Sequence, residues 1–117
     1  MIRVIYRWSV APGRAEDFVA TWWEVTRCIQ QAWPDARGSV LLKSQLDADA
    51  YLAVARWNSI EAWRASRQAE GVVPAPLVER MRAATSAPAS YEILDEVLDW
   101  TPDQPADSLK GALSLRL

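Results

Sequence analysis

The chain has 117 residues, 50% hydrophobic and 24% charged, with a formal net charge of −2 at pH 7. These proportions are typical of one globular domain, and the slight negative charge offers no basic field to phosphates, so nucleic-acid binding is not expected. No stretch has the apolar length of a membrane span, and one cysteine, Cys28, excludes an internal disulfide and favours a reducing cytoplasm. Because the chain has seven tryptophans but no histidine, it excludes a Ser-His-Asp triad and a His-ligated haem.

The first third of the chain predicts one strand followed by one helix. Apolar side chains occupy every second position over residues 2–10, which is the period of a strand with one buried face. Pro12 and Gly13 then mark a turn. Over residues 14–33 the apolar positions recur at steps of three and four, which predicts an amphipathic helix with a broad apolar face. Pro34 ends this helix, because the residue before a proline avoids helical geometry.

A hairpin follows. Residues 38–46 and 50–57 have strand patterns, and the polar segment 47–50 between them predicts the turn that joins them. Directly after the second of these strands, Asn58 or Ser59 is a suitable N-cap for a short helix.

The rest of the domain predicts two helical segments and a last strand. The helix that begins near residue 59 runs to about Ala69 and stops at Gly71. A second helical segment begins at Pro76, a residue favoured in the first turn. Residues 90–100 alternate again and predict the last strand.

The chain therefore divides into a domain over residues 1–100 and a C-terminal part over 101–117. The latter begins with a polar, proline-containing linker at 101–107 and ends in a leucine-rich tail. The tail is too apolar to be a free solvated segment, so we expect it to dock on this subunit or on a partner.

The order β-α-β-β-α-β predicts an α+β, ferredoxin-like fold, with a four-stranded antiparallel sheet and its helices on one face. The opposite face would then carry a mixture of apolar and basic side chains that cannot all be left in water. We therefore expect a homodimer in which the sheets of two subunits pack together. The residues predicted for this face are Arg3, Ile5, Arg7, Leu52, Val54, Leu94 and Leu98.

Four stretches resemble the antibiotic biosynthesis monooxygenase superfamily of dimeric α/β barrels. They are VIYRWSVAPGRAEDFVATW in the first strand and helix, SVLLKSQLDADAYLAVARW in the hairpin, SIEAW in the next helix and YEILDEV in the last strand. They lie between residues 2 and 100 and are signatures of a fold rather than of a reaction. The resemblance implies a homodimer with a pocket between sheet and helices in each subunit.

The resemblance also implies a reaction, because several members oxygenate aromatic polyketides such as anthrones with O2 and without metal or flavin. We therefore predict a cofactor-independent monooxygenase-like protein that oxidises a flat, electron-rich aromatic of anthrone or quinol type. The alternative is a non-catalytic ligand-binding or structural dimer of the same fold, because function lies in the site rather than in the scaffold. A haem-degrading branch fits poorly, since its asparagine, tryptophan and histidine correspond to Tyr6, Ser66 and Pro76 here.

The aromatic residues are the candidates for substrate binding. Tryptophan provides a large flat apolar surface with one N–H donor, which suits a planar ligand. The same side chains could instead fill the core above the small alanines of residues 51–57, and the sequence leaves these alternatives open. The predicted substrate-binding residues are Tyr6, Trp8, Trp22, Trp57 and Trp63.

Two polar residues are candidates for catalysis. The amide of Asn58 could hydrogen-bond a developing oxyanion, although helix capping would explain it equally well. Asp95 would act as a general base if an apolar pocket raised its pKa, and it would otherwise be a surface carboxylate. Arg7 and Arg56 are expected to pair with glutamates of the last strand across the dimer interface.

Overall fold

The computed structural model describes residues 1–100, and one antiparallel sheet forms the base of the fold. Its strands are β1 (Ile2–Ser9), β2 (Ala36–Lys43), β3 (Ala50–Trp57) and β4 (Ser90–Asp95). They are arranged in the order β2-β3-β1-β4, so β2 and β4 are the edges. The predicted α+β fold with a four-stranded antiparallel sheet is confirmed. The predicted linker and leucine-rich tail lie outside the described residues.

Three helices complete the fold: α1 (Ala15–Ala32), α2 (Ile60–Gln68) and α3 (Ala75–Ala84). The chain between α2 and α3 turns at Gly71, whose φ of +79° lies in the left-handed region that glycine adopts most easily. Pro74 then occupies the N-cap position of α3. The two short helices predicted from the sequence are both present.

Strands β2 and β4 differ from the prediction by more than one residue at their ends. Strand β2 begins at Ala36 rather than residue 38. Strand β2 ends at Lys43 rather than residue 46, because the Ser44 hydroxyl accepts the N–H groups of Leu46 and Asp47 and so starts the turn. Strand β4 ends at Asp95 rather than residue 100. The next residue, Glu96, leaves the strand, and its carboxylate pairs with Arg3 of β1 and Arg56 of β3.

The core lies between the sheet and the helices in two clusters. One joins Val4 and Trp57 of the sheet to Trp63 of α2, and the other packs Phe18 of α1 against Tyr51. The strictly alternating burial of β3 agrees with the period of two in its sequence. A cavity remains between the sheet, α1 and α2.

The face of the sheet turned away from the helices carries a band of apolar residues and a group of ion pairs. Arg56 makes two hydrogen bonds to the Glu96 carboxylate, at 2.8 and 3.1 Å, and Arg3 donates to Asp99 at 3.1 Å. The Arg56 hydrogen bonds hold the pKa of Glu96 below its ordinary value. The Arg56–Glu96 pairing that we predicted between subunits is therefore formed within one chain, as is the longer Arg7–Glu92 contact of 4.0 Å.

Candidate ligand-binding cavity

A cavity of about 370 Å³ lies between the helix-facing side of the sheet and a wall formed by α1, α2, the α2–α3 connection and α3. Its volume lies in the range of small-molecule sites and corresponds to about a dozen waters at roughly 30 Å³ each. Its lining is mainly aromatic and aliphatic. The space above the alanines is therefore not completely filled by the neighbouring tryptophans.

Small residues on the two central positions of β3 create this space. Ala53 and Ala55 both line the cavity, and β1 places Tyr6 opposite Ala53 and Val4 opposite Ala55. A methyl group at each position projects less far than the rings around it and so leaves room above the middle of the sheet, although both alanines are buried. Ala53 and Ala55 of β3 thus form the floor of the cavity.

Trp57 and Trp63 belong to both the core and the cavity. Each is 4% exposed and lies in the same buried cluster, yet each also contributes to the cavity wall. Trp57 is held against Trp33, with ring centroids 6.5 Å apart. The two alternatives left open by the sequence, core and pocket, are therefore not exclusive.

The other predicted aromatic residues also line this cavity. Tyr6 and Trp8 are stacked with centroids 5.6 Å apart, and Trp8 is held edge-on against Phe18. Trp22 faces the cavity from α1, whereas its neighbour Trp23 is 59% exposed. The structure thus brings all five predicted substrate-binding residues to one site, and their role in binding stays a prediction.

A hydrogen bond joins two of these aromatic residues in the cavity wall. The indole Nε1–H of Trp63 donates to the Tyr6 hydroxyl oxygen at 2.9 Å. Since that oxygen accepts, the phenolic hydrogen of Tyr6 remains available, and among residues 1–100 no acceptor takes it. A ligand oxygen in the cavity could therefore accept a hydrogen bond from a hydroxyl whose position is already set.

The other polar side chains around the cavity differ in whether they already have hydrogen-bond partners within the described chain. The Ser66 hydroxyl donates to the Trp63 carbonyl at 2.7 Å. With its amide oxygen and nitrogen exchanged, Gln30 donates to the Ala36 carbonyl and accepts from the Gly38 N–H, where the register of β2 shifts. By contrast, Arg67 lies at the wall and is the one charged lining residue in the described part of the chain.

The two predicted catalytic residues do not line this cavity. Asn58 is exposed, and its amide donates to the Asp35 carboxylate at 2.9 Å, while Ser59 caps α2 by accepting from the Ala62 N–H. The cap is therefore Ser59, one of the two residues considered. Asp95 is exposed at the end of β4. Their proposed catalytic roles stay predictions, without support from the geometry of the cavity.

Sequence reasoning missed Arg67 as a member of the site. The signal was present, because position 67 is four residues after Trp63 and therefore lies on the same face of α2. The valines of the α2–α3 connection, Val72 and Val73, also line the cavity. The sequence does not predict their position, because a short irregular segment has no periodicity to indicate which side chains face the cavity.

The described residues form neither a metal site nor a membrane-spanning helix. Within residues 1–100, no three His, Cys, Asp or Glu side chains are grouped as a metal site would require. Over the same residues, each helix is too short or too polar to cross a bilayer.

The fold and the aromatic cavity define a class of protein. The family model for antibiotic biosynthesis monooxygenase matches residues 1–74, which is more than half of the chain. The chain therefore belongs to the antibiotic biosynthesis monooxygenase family, and the resemblance seen in the sequence is confirmed.

Solved structures share this fold at low sequence identity. SnoaB, a cofactor-independent oxygenase from Streptomyces nogalater, is 16% identical with a TM-score of 0.69, and the match covers 88% of this chain and 97% of that one. A putative antibiotic biosynthesis monooxygenase from Bordetella bronchiseptica is 21% identical with a TM-score of 0.72, covering 83% and 97% of the two chains. Another from Caulobacter crescentus is 18% identical with a TM-score of 0.71, covering 82% and 89%. No curated protein matches the sequence.

Proposed function

We propose that the protein is a cofactor-independent monooxygenase that oxidises a flat, electron-rich aromatic of anthrone or quinol type with O2. One observation carries the proposal: a cavity with aromatic walls is lined by Tyr6, whose hydroxyl is positioned by the Trp63 indole and finds no acceptor for its hydrogen among residues 1–100. Membership of the monooxygenase family and the fold shared with a cofactor-independent oxygenase support it.

In this proposal the chain's own residues do three things. The indoles of Trp8, Trp22 and Trp57 hold a planar ligand above the alanine floor. The Tyr6 hydroxyl donates to the ligand oxygen as negative charge develops there, and so favours the anion. The apolar walls exclude bulk water, which strengthens that hydrogen bond.

The reaction balances without any further reactant. An anthrone loses a proton to solvent as it enters the cavity, because within the described chain no Asp or Glu lines the cavity to accept it. The resulting anion transfers one electron to O2, and the carbon and superoxide radicals combine into a peroxide anion. Protonation of the peroxide and loss of water then convert the methylene carbon into a carbonyl. One O2 and one CH2 group thus give one C=O and one H2O.

We also propose that the active form is a homodimer in which two sheets pack face to face. The face opposite the helices exposes Val40 by 48%, Leu42 by 47% and Leu94 by 41%. Ile5 and Val54 lie between them in the sheet register. Side chains of this kind gain free energy when a second apolar surface covers them. A monomeric mass by light scattering at micromolar concentration would contradict the dimer.

A second candidate function is ligand binding without catalysis. The absence of an acidic residue from the described cavity lining favours it, because an oxygenase of this kind benefits from a positioned base. Oxygen uptake separates the two candidates, since a binding protein would hold the aromatic compound without accelerating its oxidation.

The test is oxygen uptake by dialysed, metal-free protein with a panel of anthrones and naphthohydroquinones. We expect uptake above the autoxidation blank, lowered about 10- to 100-fold by Tyr6→Phe, since one oxyanion-stabilising donor contributes about that much or more. The matched control is Tyr51→Phe, which removes a hydroxyl from a buried tyrosine outside this cavity. Asn58→Ala and Asp95→Asn in the same assay test the two catalytic predictions from the sequence. Uptake equal to the blank across the panel would favour the binding protein.

A further inference from the structure

Arg67 is held over the aromatic wall of the cavity by two rings. Its guanidinium carbon is 5.5 Å from the centroid of the Trp63 ring and 5.3 Å from that of Tyr91. The two rings are themselves tilted against each other at 5.5 Å. A guanidinium in contact with ring faces is positioned by cation–π attraction and keeps its edge N–H groups free for other partners.

Within residues 1–100, Arg67 has no carboxylate at ion-pair distance, as is also true of arginines 27, 37 and 64, whereas arginines 3, 7, 14, 56, 80 and 82 each have at least one. It is also the one charged group among the described residues that line the cavity. The site therefore carries a positive charge that this part of the chain does not neutralise. A ligand with a negatively charged group at that wall would neutralise this charge.

We propose that the cavity selects an aromatic ligand that bears a carboxylate, and that Arg67 binds this group. A carboxylate matches the planar edge of a guanidinium through two parallel hydrogen bonds, and one cation neutralises its single charge. The inference rests on the proposed function only in that the cavity holds the substrate.

The wall also sets how such a ligand would lie. Trp63 contacts Arg67 through its ring face and Tyr6 through its indole nitrogen, so the two polar groups are joined by one indole. A ligand lying along this wall would place its carboxylate at Arg67 and a phenolic oxygen at Tyr6. The preferred substrate thus has its acidic group and its reactive oxygen at separate ends of a planar ring system.

The experiment compares two matched probes, 6-hydroxy-2-naphthoate and 6-hydroxy-2-naphthamide, which differ in charge but hardly in shape. Titration calorimetry under nitrogen, at low salt, measures their dissociation constants without turnover. We expect the carboxylate to bind about tenfold more tightly than the amide, because a charged hydrogen-bonding pair is roughly twice as strong as a neutral one. Raising the salt concentration should reduce the difference.

Variants of α2 identify the residue responsible. Arg67→Gln should abolish the preference for the carboxylate, and Arg67→Lys should retain part of it, because lysine keeps the charge but loses the planar pair of donors. Arg64→Gln is the matched control, since it removes the same charge from the same helix at a position that does not line the cavity. Because Arg64 and Arg67 are both exposed, all three variants should fold, which circular dichroism verifies.

The outcomes separate this inference from the proposed function. Equal or weaker binding of the carboxylate, binding of neither probe at millimolar concentration, or a preference that persists in Arg67→Gln would each overturn the inference, whatever the oxygen-uptake assay shows. A carboxylate preference that depends on Arg67 would support it, even if oxygen uptake stayed at the blank and the proposed monooxygenase reaction failed.

Discussion

The hydrogen bond from Trp63 to Tyr6 is expected to stabilise the fold as well as position the hydroxyl. It joins α2 to β1 across 57 residues of sequence, and its donor belongs to a side chain that is 4% exposed. Three variants test it: Tyr6→Phe, Trp63→Phe and the double variant. Tyr6→Phe removes the acceptor and leaves the indole N–H without its protein partner, whereas the double variant removes both groups.

The magnitudes follow from this geometry. A buried donor without a partner costs about 1–3 kcal/mol, and we expect the lower end here because Tyr6 is half-buried and water in the cavity could accept the N–H. Trp63→Phe should cost about 2 kcal/mol, since it loses the bond and part of a buried ring. The coupling energy between the two sites should be about 1 kcal/mol. A loss of 1 kcal/mol lowers Tm by about 4–8 °C in a domain of this size.

Urea unfolding followed by far-ultraviolet circular dichroism gives the four free energies of unfolding, provided that the slope m is unchanged among the variants. Tyr51→Phe is the control, because it removes a hydroxyl from another tyrosine of the sheet and should not couple to Trp63. A coupling energy below about 0.3 kcal/mol would refute the argument, since independent sites add within that margin.

Four further outcomes follow from the structure. Ala53→Leu should fill the cavity and weaken binding of aromatic ligands at least tenfold by calorimetry, while the free energy of unfolding changes by less than about 1.5 kcal/mol because the added atoms enter empty space. Ser59→Ala should cost about 1 kcal/mol of stability in urea unfolding by removing the cap of α2. Val54→Asp should halve the mass measured by light scattering, because it places a charge in the apolar face proposed to form the dimer. Finally, the folded-state pKa of Glu96 lies below its ordinary value of 4.5 because Arg56 donates hydrogen bonds to it, so its stabilisation is full above about that pH and is lost as the pH falls. In a pH series of Tm values, Glu96→Gln should reduce this loss.

Three of these four variants, those at Ala53, Val54 and Glu96, have a matched control elsewhere in the chain. Ala65→Leu adds the same atoms to the exposed side of α2, and Leu46→Asp places the same charge on a fully exposed residue of the turn before β3. Glu79→Gln removes an exposed carboxylate that pairs within α3. If any control reproduces the effect of its partner variant, the explanation given for that variant is wrong.

The order of the elements could be predicted because it depends on local rules. Period-two burial in β1 and β3, the broad apolar stripe of α1, Pro34 and Gly71 are all visible in the sequence, and each corresponds to an observed element or boundary. The end of β4 could not be predicted. The alternation of side chains continues past Asp95, but the strand stops there and Glu96 pairs with arginines of two other strands.

The site shows the same division. The sequence by itself determined which rings could face a ligand, because strand and helix periods place Tyr6, Trp8, Trp57 and Trp63 on the buried side of their elements. Only the tertiary structure decided that space remains between these rings, because a cavity depends on how far apart packed elements stand, which no local pattern records. The same packing joins the Trp63 indole to the Tyr6 hydroxyl and brings to the wall an arginine that has no carboxylate partner within residues 1–100. Chemistry at this site therefore arises from contacts between residues far apart in the chain.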